Sequence, residues 1–127
     1  MSEWTDDELT QVGRAEEVQI ASVRSDGSLR NPVTIWAVRH GNDLYIRSVR
    51  GRDSAWFHGV QETHAGQISA GRLKKEVAFV EAGPDMDGVI DTAYRSKYRR
   101  YAGRILNSVL TPKARSTTLR VVPRQSP

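Results

Sequence analysis

The sequence has no cysteine, which excludes a disulfide framework, a thiol nucleophile and any thiolate metal site. Histidine is nearly as scarce. His40, His58 and His64 show no metal-ligand spacing and no HExxH pattern occurs, so no metal is assigned. No run of about eighteen apolar residues is present, so no membrane span is expected. The opening MSEWTDDEL is acidic rather than basic and then apolar, so no secretory leader is expected and the cytoplasm is the expected compartment. A GxSxG elbow is missing, and RGRDS lacks the GxxxxGKS spacing of a P-loop.

What the chain does have is arginine. The 127 residues suit a single domain, 1–127, with a modest core. Fifteen of the nineteen basic residues are arginine, and the formal net charge is +4. Arginine forks bind phosphate bidentately, which permits a phosphorylated ligand or a nucleic acid. Most of these arginines read as a solvated surface, but one cluster stands out. Arg47, Ser48, Arg50, Gly51, Arg52 and Ser54 fall within eight positions directly after an apolar strand. Guanidinium groups, two hydroxyls and a glycine that admits close backbone approach are what a phosphate needs.

Periodicity supplies the frame. Thr5 and Glu8 predict a capping box, with Trp4 and Leu9 as its hydrophobic staple, for a helix ending near Gly13. Alternation predicts strands over 18–23 and 32–38, with a turn at Ser25–Ser28 between them. His40-Gly41-Asn42-Asp43 reads as a tight turn into Leu44-Tyr45-Ile46. Asp53 or Ser54 caps a short helix through Val60, whose first amides make a further anion site. Trp56, one turn into it, is a candidate wall for a flat ring. Two more strands, 64–70 and 73–82, flank Gly71, with Gly66 marking a bulge or a close approach. Residues 87–110 carry an apolar stripe of Ile90, Ala93, Tyr94, Tyr98, Tyr101, Ile105 and Val109, divided at Gly103, and predict a long helix over one barrel mouth. Thr111-Pro112 ends that helix, 117–122 is the last strand, and 123–127 is expected to fray.

Taken together the pattern predicts a mainly β (α+β) fold. Six strands are expected, with a short N-terminal helix, a short helix after strand 3 and a long helix before the last strand, an arrangement that resembles a six-stranded antiparallel split β-barrel. The blocks WTDDEL, PVTIWAVRHGNDLYIRSVRG and VIDTAYRSKY resemble a small, functionally uncharacterised family grouped with the split-barrel flavoproteins. That superfamily includes the pyridoxamine-phosphate-oxidase-like and the deazaflavin-dependent nitroreductase-like enzymes. The resemblance implies a homodimer with FMN or a deazaflavin in a groove between subunits. It implies that Arg47, Ser48, Arg50, Arg52 and Ser54 hold the cofactor phosphate, with Thr34 and Trp36 near the ring or the dimer face. Where the oxidase-like enzymes carry serine-arginine-lysine, this chain has Gly51-Arg52-Asp53, so the choice of cofactor stays open.

The resemblance implies the first of three candidate functions, and the residues themselves leave two others open. The first is a flavin- or deazaflavin-dependent oxidoreductase for a small-molecule ligand, with Tyr94, Tyr98 or His64 delivering a proton. The second is a cofactor-free isomerase or cyclase using Asp91, Tyr94 and Lys97 for acid–base work. Asp91 could equally pair with Arg95 or a neighbouring loop. The third is a basic nucleic-acid-binding barrel, disfavoured because the aromatics fall in helix stripes rather than alternating with basic residues on a sheet.

Overall fold

The computed structural model describes residues 3–124. Thr5 caps α1 (Asp6–Arg14) through the full capping box, because Glu8 returns a hydrogen bond to the Thr5 amide. Trp4 packs in the same apolar cluster as Leu9, and its indole nitrogen donates to Val121 O at 2.9 Å. That contact ties the first helix to the last strand.

Seven strands form one antiparallel sheet: β1 (Val18–Ser22), β2 (Val33–Ile35), β3 (Ala37–His40), β4 (Asp43–Ile46), β5 (Ala65–Ala70), β6 (Leu73–Glu81) and β7 (Leu119–Pro123). Their order is β2-β1-β5-β6-β7-β4-β3. The two outermost strands are therefore consecutive in the chain and joined by Trp36 alone. The sheet curls into a nearly closed barrel with its seam at that residue, and the split-barrel fold is confirmed. Six strands are expected from the sequence because 32–38 alternates without interruption. In the structure that run breaks at Trp36 and pairs with β1 before the break and β4 after it.

Alternation sorts the side chains as period two requires. Val33, Ile35, Ala37, Leu44 and Ile46 face the barrel core, together with Leu9 and Val12 of α1 and Phe57 and Val60 of α2 (Ala55–Thr63). Trp36, Val38 and Tyr45 face outward, where α3 (Asp87–Lys97) lays Ile90, Tyr94 and Tyr98 over them. The long helical stretch thus covers the outside of β3 and β4 rather than a barrel mouth.

Nor is that stretch continuous. After α3 come a 3₁₀ turn (Arg99–Tyr101), α4 (Arg104–Asn107) and α5 (Pro112–Arg115). Gly103 takes φ of +105°, a conformation side chains disfavour, and this resets the helical phase. Consequently Leu106 is buried while Ile105, expected in the apolar stripe, is 58% exposed. Thr111 accepts a hydrogen bond from Ala114 N and Pro112 takes the first helical position, so the pair begins α5 instead of ending a helix. Pro123 belongs to β7, and Arg124 N donates to Glu76 O at 2.9 Å, so the expected fraying does not begin there. The rest of that expected tail, 125–127, lies outside the described residues. Among the described residues no helix is long and apolar enough to cross a membrane.

Candidate functional site

At the seam a groove of about 1310 Å³ opens. Val33, Thr34, Ile35 and Trp36 line it from the strand break, and Asp53, Ser54, Ala55 and Trp56 from the start of α2. The loop from Arg47 to Arg50 runs between these two groups. The helical arm adds Tyr101, Ile105, Ser108, Val109 and Lys113, and the α1–β1 connection adds Glu16 and Glu17. Sequence-predicted and unpredicted residues therefore share one cavity.

Two half-buried indoles, Trp36 and Trp56, belong to this lining. Trp36 is backed by Tyr98 in a parallel stack, with centroids 3.8 Å apart and an interplanar angle of 5°. Tyr101 meets the same indole at 5.3 Å. Trp56 meets Phe57 edge-on at 6.0 Å. The parallel stack holds the Trp36 indole in place.

Arg47 is 2% exposed and points into the protein. Its Nε donates to Thr118 Oγ1 at 2.8 Å, and Nη1 donates to Asp91 Oδ1 at 2.5 Å and Val109 O at 2.9 Å. Nη2 donates to Asp87 O at 3.3 Å, so four of its five N–H groups have protein partners. The guanidinium also lies 5.5 Å from the Tyr94 ring centre. The expectation that Arg47 grips a cofactor phosphate gives way to a structural role, because period two puts it on the Tyr45 face beneath α3.

The hydroxyl pair is likewise turned inward. Ser48 Oγ donates to Ser54 Oγ at 2.8 Å, and Ser54 Oγ accepts from Phe57 N as the α2 cap. Arg52 leaves the groove altogether: it pairs with Glu81, donates to Ser116 O at 3.0 Å and lies over the Phe57 ring. Gly51 is buried beside the groove at φ of +76°, and a Cβ there would sit 2.3 Å from Lys113 Cγ. Its close approach is to that lysine stem. Arg50 and Lys113 are exposed, line the groove and have no side-chain hydrogen bond or ion pair among the described residues.

None of the five expected catalytic residues lines the groove. Asp91 is 3% exposed and is held between Arg47 and Arg115. Burial pushes its carboxyl pKa up, but hydrogen bonds from Arg115 and Arg47 and their charges outweigh this and leave it below the ordinary value. A carboxylate so held is a poor base, and Arg47 and Arg115 replace Arg95 as its partners. Tyr94 is fully buried, its hydroxyl has no partner among the described residues, and desolvation drives its pKa upward. Tyr98 donates to Glu16 O at 2.8 Å and Ala37 O at 3.2 Å, and burial also raises its pKa. Lys97 Nζ donates to Ala37 O at 2.5 Å and Val12 O at 3.3 Å, and desolvation pushes its pKa down to about 8. His64 is exposed and closes α2 in the left-handed conformation. The acid–base set of the isomerase reading is thus dispersed into structural contacts.

Among the charged lining residues, Lys113, Glu16 and Glu17 are those that sequence reasoning missed. Thr111-Pro112 carried a signal for the first, since a threonine followed by proline opens a helix as readily as it closes one.

A model of the family described as "Uncharacterized protein conserved in bacteria (DUF2255)" matches residues 8–121. The chain belongs to that family. No curated protein matches the chain. Among solved structures it is similar to HutZ, the heme storage protein from Vibrio cholerae, with a TM-score of 0.64, 12% identity, and coverage of 95% of this chain and 91% of that one. A candidate pyridoxamine 5′-phosphate oxidase from Listeria innocua gives a TM-score of 0.64, 13% identity and coverage of 94% and 93%. An F420 reductase gives a TM-score of 0.57, 20% identity and coverage of 98% and 97%. At these identities the likeness is one of fold.

Proposed function

We propose that the DUF2255 groove binds a flavin or deazaflavin and that the protein carries out small-molecule redox chemistry with it. The observation that carries this reading is the seam itself, where Trp36 and Trp56 line one groove of mixed polar and apolar character that Arg50 and Lys113 also line. A planar ring system with an anionic tail matches both features. The F420 reductase and the oxidase candidate with the same fold support the choice of cofactor class. Haem, named for the HutZ neighbour, receives less support. No histidine or methionine lines the groove, and the Tyr101 hydroxyl is engaged with Glu16.

When bound, the cofactor supplies the hydride or electron chemistry. The chain's own residues bind, orient and exclude water. Trp36, stiffened by Tyr98 and Tyr101, offers a rigid plate for the ring. Val33, Ile35 and Val109 give the cavity apolar lining. Tyr94, Tyr98 and His64, expected as proton donors, are not among the residues that line this cavity. Val49 and Ile105 are apolar, 49% and 58% exposed, and line the same groove. Their exposure supports a homodimer in which a second copy covers the groove.

Visible absorbance of the purified protein, followed by fluorescence titration with FMN and with a deazaflavin, tests the reading. Saturable binding in the micromolar range or tighter is expected for one of them. Failure of both to bind an intact dimer would overturn it.

A further inference from the structure

We propose that Lys113 and Arg50 together form the contact for a phosphate ester on the ligand, a proposal that rests on the groove reading above. Three arginine or lysine side chains line the groove: Arg47, Arg50 and Lys113. Arg47 is spent on Asp91, Thr118 and two backbone carbonyls. That leaves two cations with no partner among the described residues.

These two are brought together by backbone architecture. Gly51 follows Arg50 directly, and the Lys113 stem crosses the face of Gly51 where a Cβ would stand, 2.3 Å from Lys113 Cγ and 2.9 Å from Cδ. Any side chain at position 51 would push the lysine away, and φ of +76° strains one in any case. The two segments are also bonded to each other. Ser48 N donates to Thr117 Oγ1 at 2.8 Å, and Arg52 Nη2 donates to Ser116 O at 3.0 Å. The loop bearing Arg50 and the segment formed by α5, which bears Lys113, and the residues after it thus form one braced unit, which lowers the ordering cost when an anion binds.

Asp53 is the carboxylate of the same loop, and the two cations outnumber it. Glu16 and Glu17 reach the groove from a different connection, and Glu16 is engaged by Arg100 and Tyr101. A phosphate monoester or diester, with its charge spread over several oxygens, suits a guanidinium and an ammonium acting together.

The test compares phosphorylated with unphosphorylated probes on the full chain. FMN and riboflavin are titrated into the wild type, Lys113→Met and Arg50→Met, with folding checked by circular dichroism; both positions are exposed. Loss of one charge-assisted contact should weaken FMN about ten-fold or more in each variant. Riboflavin should change less than about two-fold, and the FMN-to-riboflavin preference should shrink as salt is raised. Gly51→Ala should weaken FMN in the same direction by displacing the lysine.

FMN binding that is indifferent to both variants, or an equal loss for riboflavin, overturns the proposal and leaves the cofactor reading standing. If neither flavin binds the wild type, phenyl phosphate is titrated by NMR. Saturable shifts abolished in Lys113→Met then support the phosphate site while the flavin reading falls. Absence of such shifts overturns the phosphate site as well.

Discussion

Asp91→Asn is the sharpest test of whether Arg47 is a structural cation. The substitution keeps the volume of the side chain and removes the only carboxylate that pairs with Arg47 among the described residues. The Arg47 side chain is fully buried and that of Asp91 is 4% exposed, so water does not replace the lost charge. Breaking a buried pair from one side costs about 3–5 kcal/mol, a large share of the roughly 5–15 kcal/mol that holds a domain together. Urea unfolding followed by circular dichroism should report that loss as a lower midpoint at unchanged slope. Arg115→Ala, which removes a partner whose side chain is 35% exposed, should lower the midpoint much less than Asp91→Asn does. Arg47→Met combined with Asp91→Leu should recover part of the loss, because it removes both charges together. The difference between wild type and Asp91→Asn should also depend on acid. The folded-state pKa of Asp91 is lowered, so its contribution is present above the unfolded value and lost as pH falls through the folded one. The gap should therefore close below about pH 4. An Asp91→Asn protein within about 1 kcal/mol of wild type at pH 7 would refute the reasoning.

Lys97→Met tests the opposite linkage. Its amine is held at about 8 in the fold against roughly 10.4 in the unfolded chain, so the unfolded state binds more protons between these values and stability rises with pH there. The amine is partly solvated, which reduces the gain to about 1–2 kcal/mol, and the methionine variant should lack it; an unchanged pH slope would count against the assignment. Gly66→Ala should destabilise by about 3 kcal/mol in urea, because a Cβ there would stand 2.2 Å from Ala21 O and 2.8 Å from the Phe79 ring. Thr5→Ala should cost about 1 kcal/mol through loss of the capping box, measured in the same way.

Local signals proved legible wherever one short stretch carries the whole device. The Thr5–Glu8 box, the Ser54 cap and the close approach at Gly66 involve few residues and follow from their chemistry. The barrel was legible too, since alternation marks most of its strands. What stayed hidden depends on residues far apart in the chain. Alternation through 32–38 cannot reveal that β2 and β3 lie at opposite ends of the sheet. Period two puts Arg47 on the Tyr45 face, but the arginine cluster gave no sign that α3 covers that face. A signal did exist in the partner: Asp91 sits beside Ile90 and three residues before Tyr94 on the buried stripe of α3, where a carboxylate requires a cation. That cation comes from β4's exit and from α5, and no local pattern names either. The Arg50–Lys113 pair was half visible for the same reason.

The central claim is that a flavin-type ligand binds in the groove that Trp36 and Trp56 line at the barrel seam. It is tested most directly by following the three indole N–H resonances in a two-dimensional NMR titration with FMN and with a deazaflavin. Trp36 and Trp56 line the groove, whereas Trp4 is buried elsewhere with its N–H bonded to Val121 O. The account predicts saturable shifts of the Trp36 and Trp56 signals and a stationary Trp4 signal. Two groove indoles that stay unmoved at saturating ligand, with either cofactor, would contradict it.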